Sequence, residues 1–259
     1  MPILQLILQT PWYLLLVAFV LSLGAAAFWW IFFKQRSPEF TTANRSILLL
    51  FLVGLIIVIP LALVESSIVA QLPQSYQQVL ASSASAMTPQ RAGIIALVMF
   101  LIVGPLEELS KLFFLRQIMP LGEINQVIDS VKFGIAIGIG FAIVENSLFL
   151  LAPLAAHDWR LAATTYFLRF FFSALAHGVY SGIGGYFLGC AKAAFWRRRQ
   201  NIFAAIVLPI LAHGTFNTLL LLGIGYYALP LLLIFLAILL RWYQNKQSHV
   251  VFGSPSTTV

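Results

Sequence analysis

The sequence predicts an all-α fold, a polytopic membrane helix bundle of about seven spanning helices (range six to eight) around a polar centre shared by four of them. Three observations carry that expectation. Hydrophobic residues fill 61% of the 259 positions and charged residues only 9%, whereas a water-soluble domain carries roughly a quarter charged residues. Seven apolar stretches approach the roughly 20 residues that a membrane-crossing helix needs. Ionisable side chains nevertheless recur inside four of those stretches, where each is costly. Together these exclude a soluble globular domain, a disordered chain and a nucleic-acid-binding module. The single Cys190 excludes an intrachain disulfide framework and any multi-cysteine metal site.

The stretches run at about 11–33, 46–64, 92–117, 131–151, 162–189, 202–222 and 224–240. The first has no basic residue before it and exceeds a signal-peptide core, so it reads as a retained helix. Residues 1–64 thus hold two N-terminal helices, and 65–91 form a Gln/Ser/Ala-rich outer loop or a helix lying on the membrane. Residues 92–222 make the central unit. Gly134, Gly138 and Ala142 recur every four residues there, as do Gly178 and Gly182 and then Gly185 and Gly189. That spacing lets helix backbones approach closely. Gly223 and Gly225 break the chain before a last helix within 223–243, and 244–259 reads as a disordered tail.

Charge placement gives an orientation. Lys34, Arg36, Arg45, Arg116, Lys132, Lys192, Arg197, Arg198, Arg199, Arg241 and Lys246 fall on one side of a seven-helix arrangement, and only Arg91 and Arg160 fall in loops on the other. By the positive-inside rule the N-terminus is outside and the C-terminus cytoplasmic. The net charge of +7 is therefore mainly a topology signal, with the lipid bilayer as its partner. Trp12, Trp159 and Trp242 near span ends read as interface anchors.

The buried polar residues carry the chemistry. Helix three holds Glu107, Glu108 and Lys111 just after Gly104-Pro105; helix four holds Glu145 and Asn146. Helix five holds Arg169, Ser173, His177 and Ser181, four apart on one stripe, and helix six holds His213 and Asn217, also four apart. At about 1.5 Å rise per residue, the carboxylates and imidazoles of four helices reach one layer about 10 Å thick. Lys111 stands four residues after Glu107 and three after Glu108, so it can neutralise one carboxylate and leave the other free. Pro105 cannot bond the carbonyl of Leu101, which leaves a polar backbone group near the glutamates. For Arg169, pairing with Glu145 and snorkelling to the interface are equal expectations. His157, Asp158 and His249 read as solvated bystanders.

These residues also carry a family resemblance. Glu107-Glu108-Leu109-Ser110-Lys111 resembles the EExxK motif of the PrsW family of intramembrane proteases, which belongs with the CAAX-prenyl-protease-like membrane proteases. Phe141 to Glu145 is similar to its FxxxE motif, His177 takes the third-motif histidine, and His213 to Asn217 matches HxxxN. Ser173 stands where FxxxH has Phe. The resemblance covers about residues 92–222. It implies a glutamic-type intramembrane endopeptidase acting on a membrane-anchored protein, either an anti-sigma-factor-like substrate or a lipidated one. It implies Glu107 or Glu108 as the base, with His177 orienting or protonating. His213 and Asn217 would stabilise the oxyanion, and Glu145 would hold a histidine or the water network. Lys111, Asn146, Arg169, Ser173 and Ser181 would support them. Short loops and compact size point to a bacterial inner (plasma) membrane.

No cofactor is expected, but Glu with two His is an acceptable zinc set, so a zinc-dependent membrane metallopeptidase is the second reading. A proton-coupled transporter is the third, since midplane Glu/His relays are common there; no pair of symmetric broken helices supports it.

Overall fold

The computed structural model describes residues 3–36, 45–81, 88–118, 127–193 and 195–244, so the expected tail from 245 onward lies outside the described residues. All regular structure among them is helical: α1 Ile3–Gln9, α2 Trp12–Arg36, α3 Arg45–Ala70, α4 Gln74–Ala81, α5 Pro89–Val98, α6 Gly104–Ile118, α7 Val127–Ala155, α8 Trp159–Leu168, α9 Ala174–Ala193, α10 Arg198–Leu221 and α11 Ala228–Gln244. A π-helical turn, Met99–Val103, joins α5 to α6, and a second, Arg169–Ser173, joins α8 to α9. Six helices among the described residues are long and apolar enough to cross a membrane: α2, α3, the joined α5–α6, α7, α10 and the last, Gly225–Trp242. The joined α8–α9 is not among the six, because His177, Tyr180, Ser181 and a run of glycines dilute its apolar character.

Sequence signals explain the boundaries. Thr88 caps α5, its hydroxyl accepting from the Arg91 N–H, with Pro89 at the first helical position where no N–H is missed. Asp158 caps α8 through the Leu161 N–H. The turn after α10 closes on Gly223, whose φ of 75° suits a residue without Cβ. There the Gly223 N–H bonds to the Leu220 carbonyl and the Ile224 N–H to Leu219. Residues 65–70, expected in an outer loop or a helix lying on the membrane, complete α3, and 74–81 form the short α4.

Helix α7 is the axis of the bundle, buried on almost all sides, with α9 antiparallel against it and α2 and α3 flanking. Its interface with α9 is backbone on backbone. A Cβ on Gly134 would strike the Ser181 carbonyl, and one on Gly138 the His177 carbonyl. On the other face, Gly140 meets the Phe51 carbonyl of α3. Apolar membrane lipid supplies no hydrophobic force between helices, so this close packing is what holds them. Helix α10 packs beside α9 and against α6. Helix α11 lies outside α9, with Trp242 stacked on Tyr186 at 3.9 Å between ring centres.

Candidate active site

Two π-helical turns set up the site. The Gly104 N–H bonds five residues back, to Met99, and the following Pro105 has no N–H to give. The same close approach brings α6 to α10: a Cβ on Gly104 would lie 2.8 Å from the Met99 carbonyl oxygen and 3.5 Å from that of Ile210. In the second turn the Ala174 N–H bonds back to the Arg169 carbonyl, and two carbonyls accept side-chain donors from other helices. Phe170 accepts from the Trp29 indole N–H at 2.8 Å, and Arg169 from Asn146 Nδ2 at 3.5 Å. Helices α2 and α7 thus hold the irregular backbone in place, and π turns of this kind are frequent at functional sites.

The polar side chains then form one connected network. Lys111 is its hub and is 1% exposed; Glu107 and Glu108 are each 4% exposed, His177 5% and His213 2%. Lys111 Nζ lies 2.7 Å from Glu108 Oε1, 3.4 Å from Glu107 Oε2 and 3.0 Å from His177 Nδ1. It also sits 3.9 Å over the Phe141 ring. His177 packs on the same ring, centres 5.3 Å apart.

On one flank, His213 Nδ1 lies 2.8 Å from Glu108 Oε1, and Asn217 Nδ2 lies 2.8 Å from His213 Nε2. Since a carboxylate can only accept, His213 donates from Nδ1 and accepts from Asn217 at Nε2. On the other flank, Glu145 Oε2 takes His177 Nε2 and Arg169 Nη2, each at 2.7 Å. With the ammonium donating to Nδ1, His177 donates from Nε2. Arg169 Nε also donates to Asn146 Oδ1 at 2.7 Å, and Ser173 donates to the same oxygen at 3.0 Å. The Arg169 guanidinium stacks 3.7 Å over Phe149.

The two adjacent glutamates differ. Glu108 is held by two short contacts on one oxygen, whereas Glu107 has only longer ones, 3.4 Å to Lys111 and 3.9 Å to His213 Nε2. Every anticipated site residue joins the hydrogen-bonded network except Ser181, which lines a small cavity beside Glu108 and Lys111. Two contributors lie outside the residues that the sequence singles out for chemistry. Glu65 near the end of α3 feels the charges of Glu145 and Lys111 and has a buried, unpartnered Oε1. Phe141 is the ring beneath the ammonium.

Among the described residues, Glu107, Glu108, His177 and His213 each bring a donor atom to within 4.8 Å of the others, a set of the right type for zinc. The Lys111 ammonium stands among them, within 3.4 Å of three of the four. A divalent ion would compete with that fixed cation for the same carboxylates, so the arrangement does not fit a resident metal while Lys111 keeps this position.

The chain matches the family model of the PrsW family intramembrane metalloprotease over residues 42–242. It is 32% identical to a Protease PrsW of Shouchella clausii over 142 residues, 54% of this chain and 61% of that protein. It is 29% identical to one of Geobacillus kaustophilus over 176 residues, 68% and 67% of the two chains. It is 28% identical to one of Bacillus subtilis over 155 residues, 58% and 65%. The first of these matches and another, in Halalkalibacterium halodurans, span 61% and 54% of the relatives' own lengths. No solved structure matches.

Proposed function

This chain belongs to the PrsW family, and from that premise we propose that it is an integral-membrane endopeptidase that cleaves membrane-anchored proteins with a water activated by Glu107. The observation that carries the reading is the inequality of the two glutamates. Glu108 is neutralised by Lys111 and takes a short hydrogen bond from His213, while Glu107 stands beside the same groups at longer range. A base must have an oxygen free to take a proton, and Glu107 is the carboxylate with that freedom.

The reaction follows from these positions. Water adds through oxygen to the carbonyl carbon of the substrate peptide and gives its proton to Glu107. Negative charge moves to the carbonyl oxygen, where Asn217 offers its second amide N–H, and preorganised donors of this kind are usually the largest catalytic contribution. As the C–N bond breaks and the carbonyl re-forms, Glu107 returns the proton to the departing amine. His177 does not exchange protons in this scheme. Both its nitrogens are engaged, one by Lys111 and one by Glu145, so it holds the ammonium that keeps Glu108 neutralised.

The substrate is a membrane-anchored protein, with anti-sigma-factor-like and lipidated substrates both consistent with the site. The distribution of basic residues favours a C-terminus in the cytoplasm, and short loops and compact size favour a bacterial inner membrane. A zinc peptidase is the second reading, and it would require the Lys111 ammonium to leave the donor cluster. The test incubates purified protein with a panel of single-span membrane proteins, comparing wild type with Glu107→Ala and His213→Ala, with metal analysis of the same preparations. Cleavage by wild type alone, with no stoichiometric metal, is expected. Cleavage that tracks bound zinc would replace this mechanism with the metal one, and proton-linked uptake into vesicles without any cleavage would replace it with transport.

A further inference from the structure

Behind the Lys111–Glu108 pair, toward the helix ends that carry Arg116, Lys192 and Arg198, lies a small cavity lined by both of these residues together with Ser181, Gly184, Ala205 and Pro209. Three features make it polar in an otherwise apolar layer. The Ser181 hydroxyl is buried and without a partner. Buried helical serines commonly bond back to the carbonyl four residues earlier, as Ser147 does to Ile143 at 2.6 Å; Ser181 does not, and the His177 carbonyl it would use is pressed against Gly138. Pro209, within α10, has no N–H for the Ala205 carbonyl four residues back. That oxygen stands 3.5 Å from where a Cβ on Gly184 would lie, and Ala205 and Gly184 both line the cavity. The third feature is the ion pair itself, since an ammonium has three protons and a carboxylate several acceptor sites.

We propose that this cavity is a water-binding site in which a water bridges the Ser181 hydroxyl, the Ala205 carbonyl and the Lys111–Glu108 pair, and that it supplies the hydrolytic centre from the side opposite Glu145 and Arg169. A buried water is stable where about three polar partners converge, and here they come from α6, α9 and α10. Hydrolysis consumes one water per bond broken. A substrate that covers the Glu145–Arg169 flank would cut off replacement from that direction, and this site lies on the other side of the same ion pair. Gly184 is what keeps the room open: a methyl there would meet Leu112, Pro209 and the Ala205 oxygen at 3.4–3.5 Å, ordinary contact that the fold accepts.

The water site and its supply role are tested separately, and only the second rests on the peptidase reading. For the first, a Ser181→Cys variant in a Cys190→Ser background is followed by infrared spectroscopy in detergent. The expected S–H stretch is that of a hydrogen-bonded thiol, converting to S–D within minutes of transfer to heavy water and losing that exchange when Gly184→Ala is added. A free S–H band that resists exchange overturns the water site. For the second, Gly184→Ala is expected to lower kcat about fivefold, the worth of roughly one hydrogen bond, with KM unchanged; Ser181→Ala serves as a second variant and should do the same. An unchanged kcat overturns the supply role. A wild type that cleaves nothing defeats the peptidase reading, and the infrared result still decides whether water binds.

Discussion

The two flanks of the polar centre use the same residue types in opposite ways. On the α7–α9 flank a single carboxylate, Glu145, faces two donors: Arg169 and His177 both reach Oε2 at 2.7 Å, and Asn146 with Ser173 fastens the guanidinium from behind. On the α6–α10 flank two carboxylates share one ammonium, and Glu107 is left with contacts of 3.4 and 3.9 Å. A saturated network fixes geometry, because moving any member leaves a buried charge uncompensated. An unsaturated one has a group free to exchange a proton. The positioning flank is therefore the balanced one, and reactivity belongs to the flank with a surplus of acid.

Removing the shared cation should have the largest effect. Lys111→Met leaves two buried carboxylates facing each other, so unfolding in detergent should be easier by about 3–5 kcal/mol, the usual cost of breaking a buried pair from one side. A thermal midpoint equal to wild type would mean that the centre is open to solvent. Next in size is Asn217→Ala, which removes the oxyanion donor. It should lower kcat by about 10²–10³ with the thermal midpoint nearly unchanged, and an effect confined to KM would assign Asn217 to substrate binding. Smallest is Gly138→Ala, which touches no charge but drives a methyl into the His177 carbonyl. Overpacking of this kind costs about 1–3 kcal/mol, and the loss should appear in unfolding together with a proportionate loss of cleavage. Full stability would show that α7 and α9 can slide apart at little cost.

The sequence made the charged part of this centre legible because charge is expensive in hydrocarbon. Glu107, Glu108, Lys111, Glu145, His177 and His213 each stand out against an apolar helix, and their spacing implied that Lys111 could serve only one glutamate fully. Which one was not legible, since that depends on where α10 brings His213. Glu65 was missed because it lies just past the apolar stretch 46–64, where a carboxylate looks like the start of a loop; α3 in fact continues to Ala70. Phe141 stands in the sequence only as part of a motif, because an aromatic in an apolar helix gives no sign that a cation sits over it. The turn Met99–Val103 has a trace in Gly104-Pro105. The turn Arg169–Ser173 has none, being held by Trp29 and Asn146 from other helices.

The adjacent glutamates divide reaction from support, and a paired measurement on Glu107→Gln and Glu108→Gln tests that division. Cleavage of a single-span substrate and thermal unfolding would be recorded for both. Glu107→Gln should retain a wild-type unfolding midpoint and lose about 10²–10⁴ in kcat, the range of a missing general base. Glu108→Gln should unfold at lower temperature, because it leaves the Lys111 ammonium short of its nearest counter-charge. The reverse pattern, with Glu107→Gln cleaving normally and Glu108→Gln stable but inactive, would make Glu108 the base and Glu107 the support.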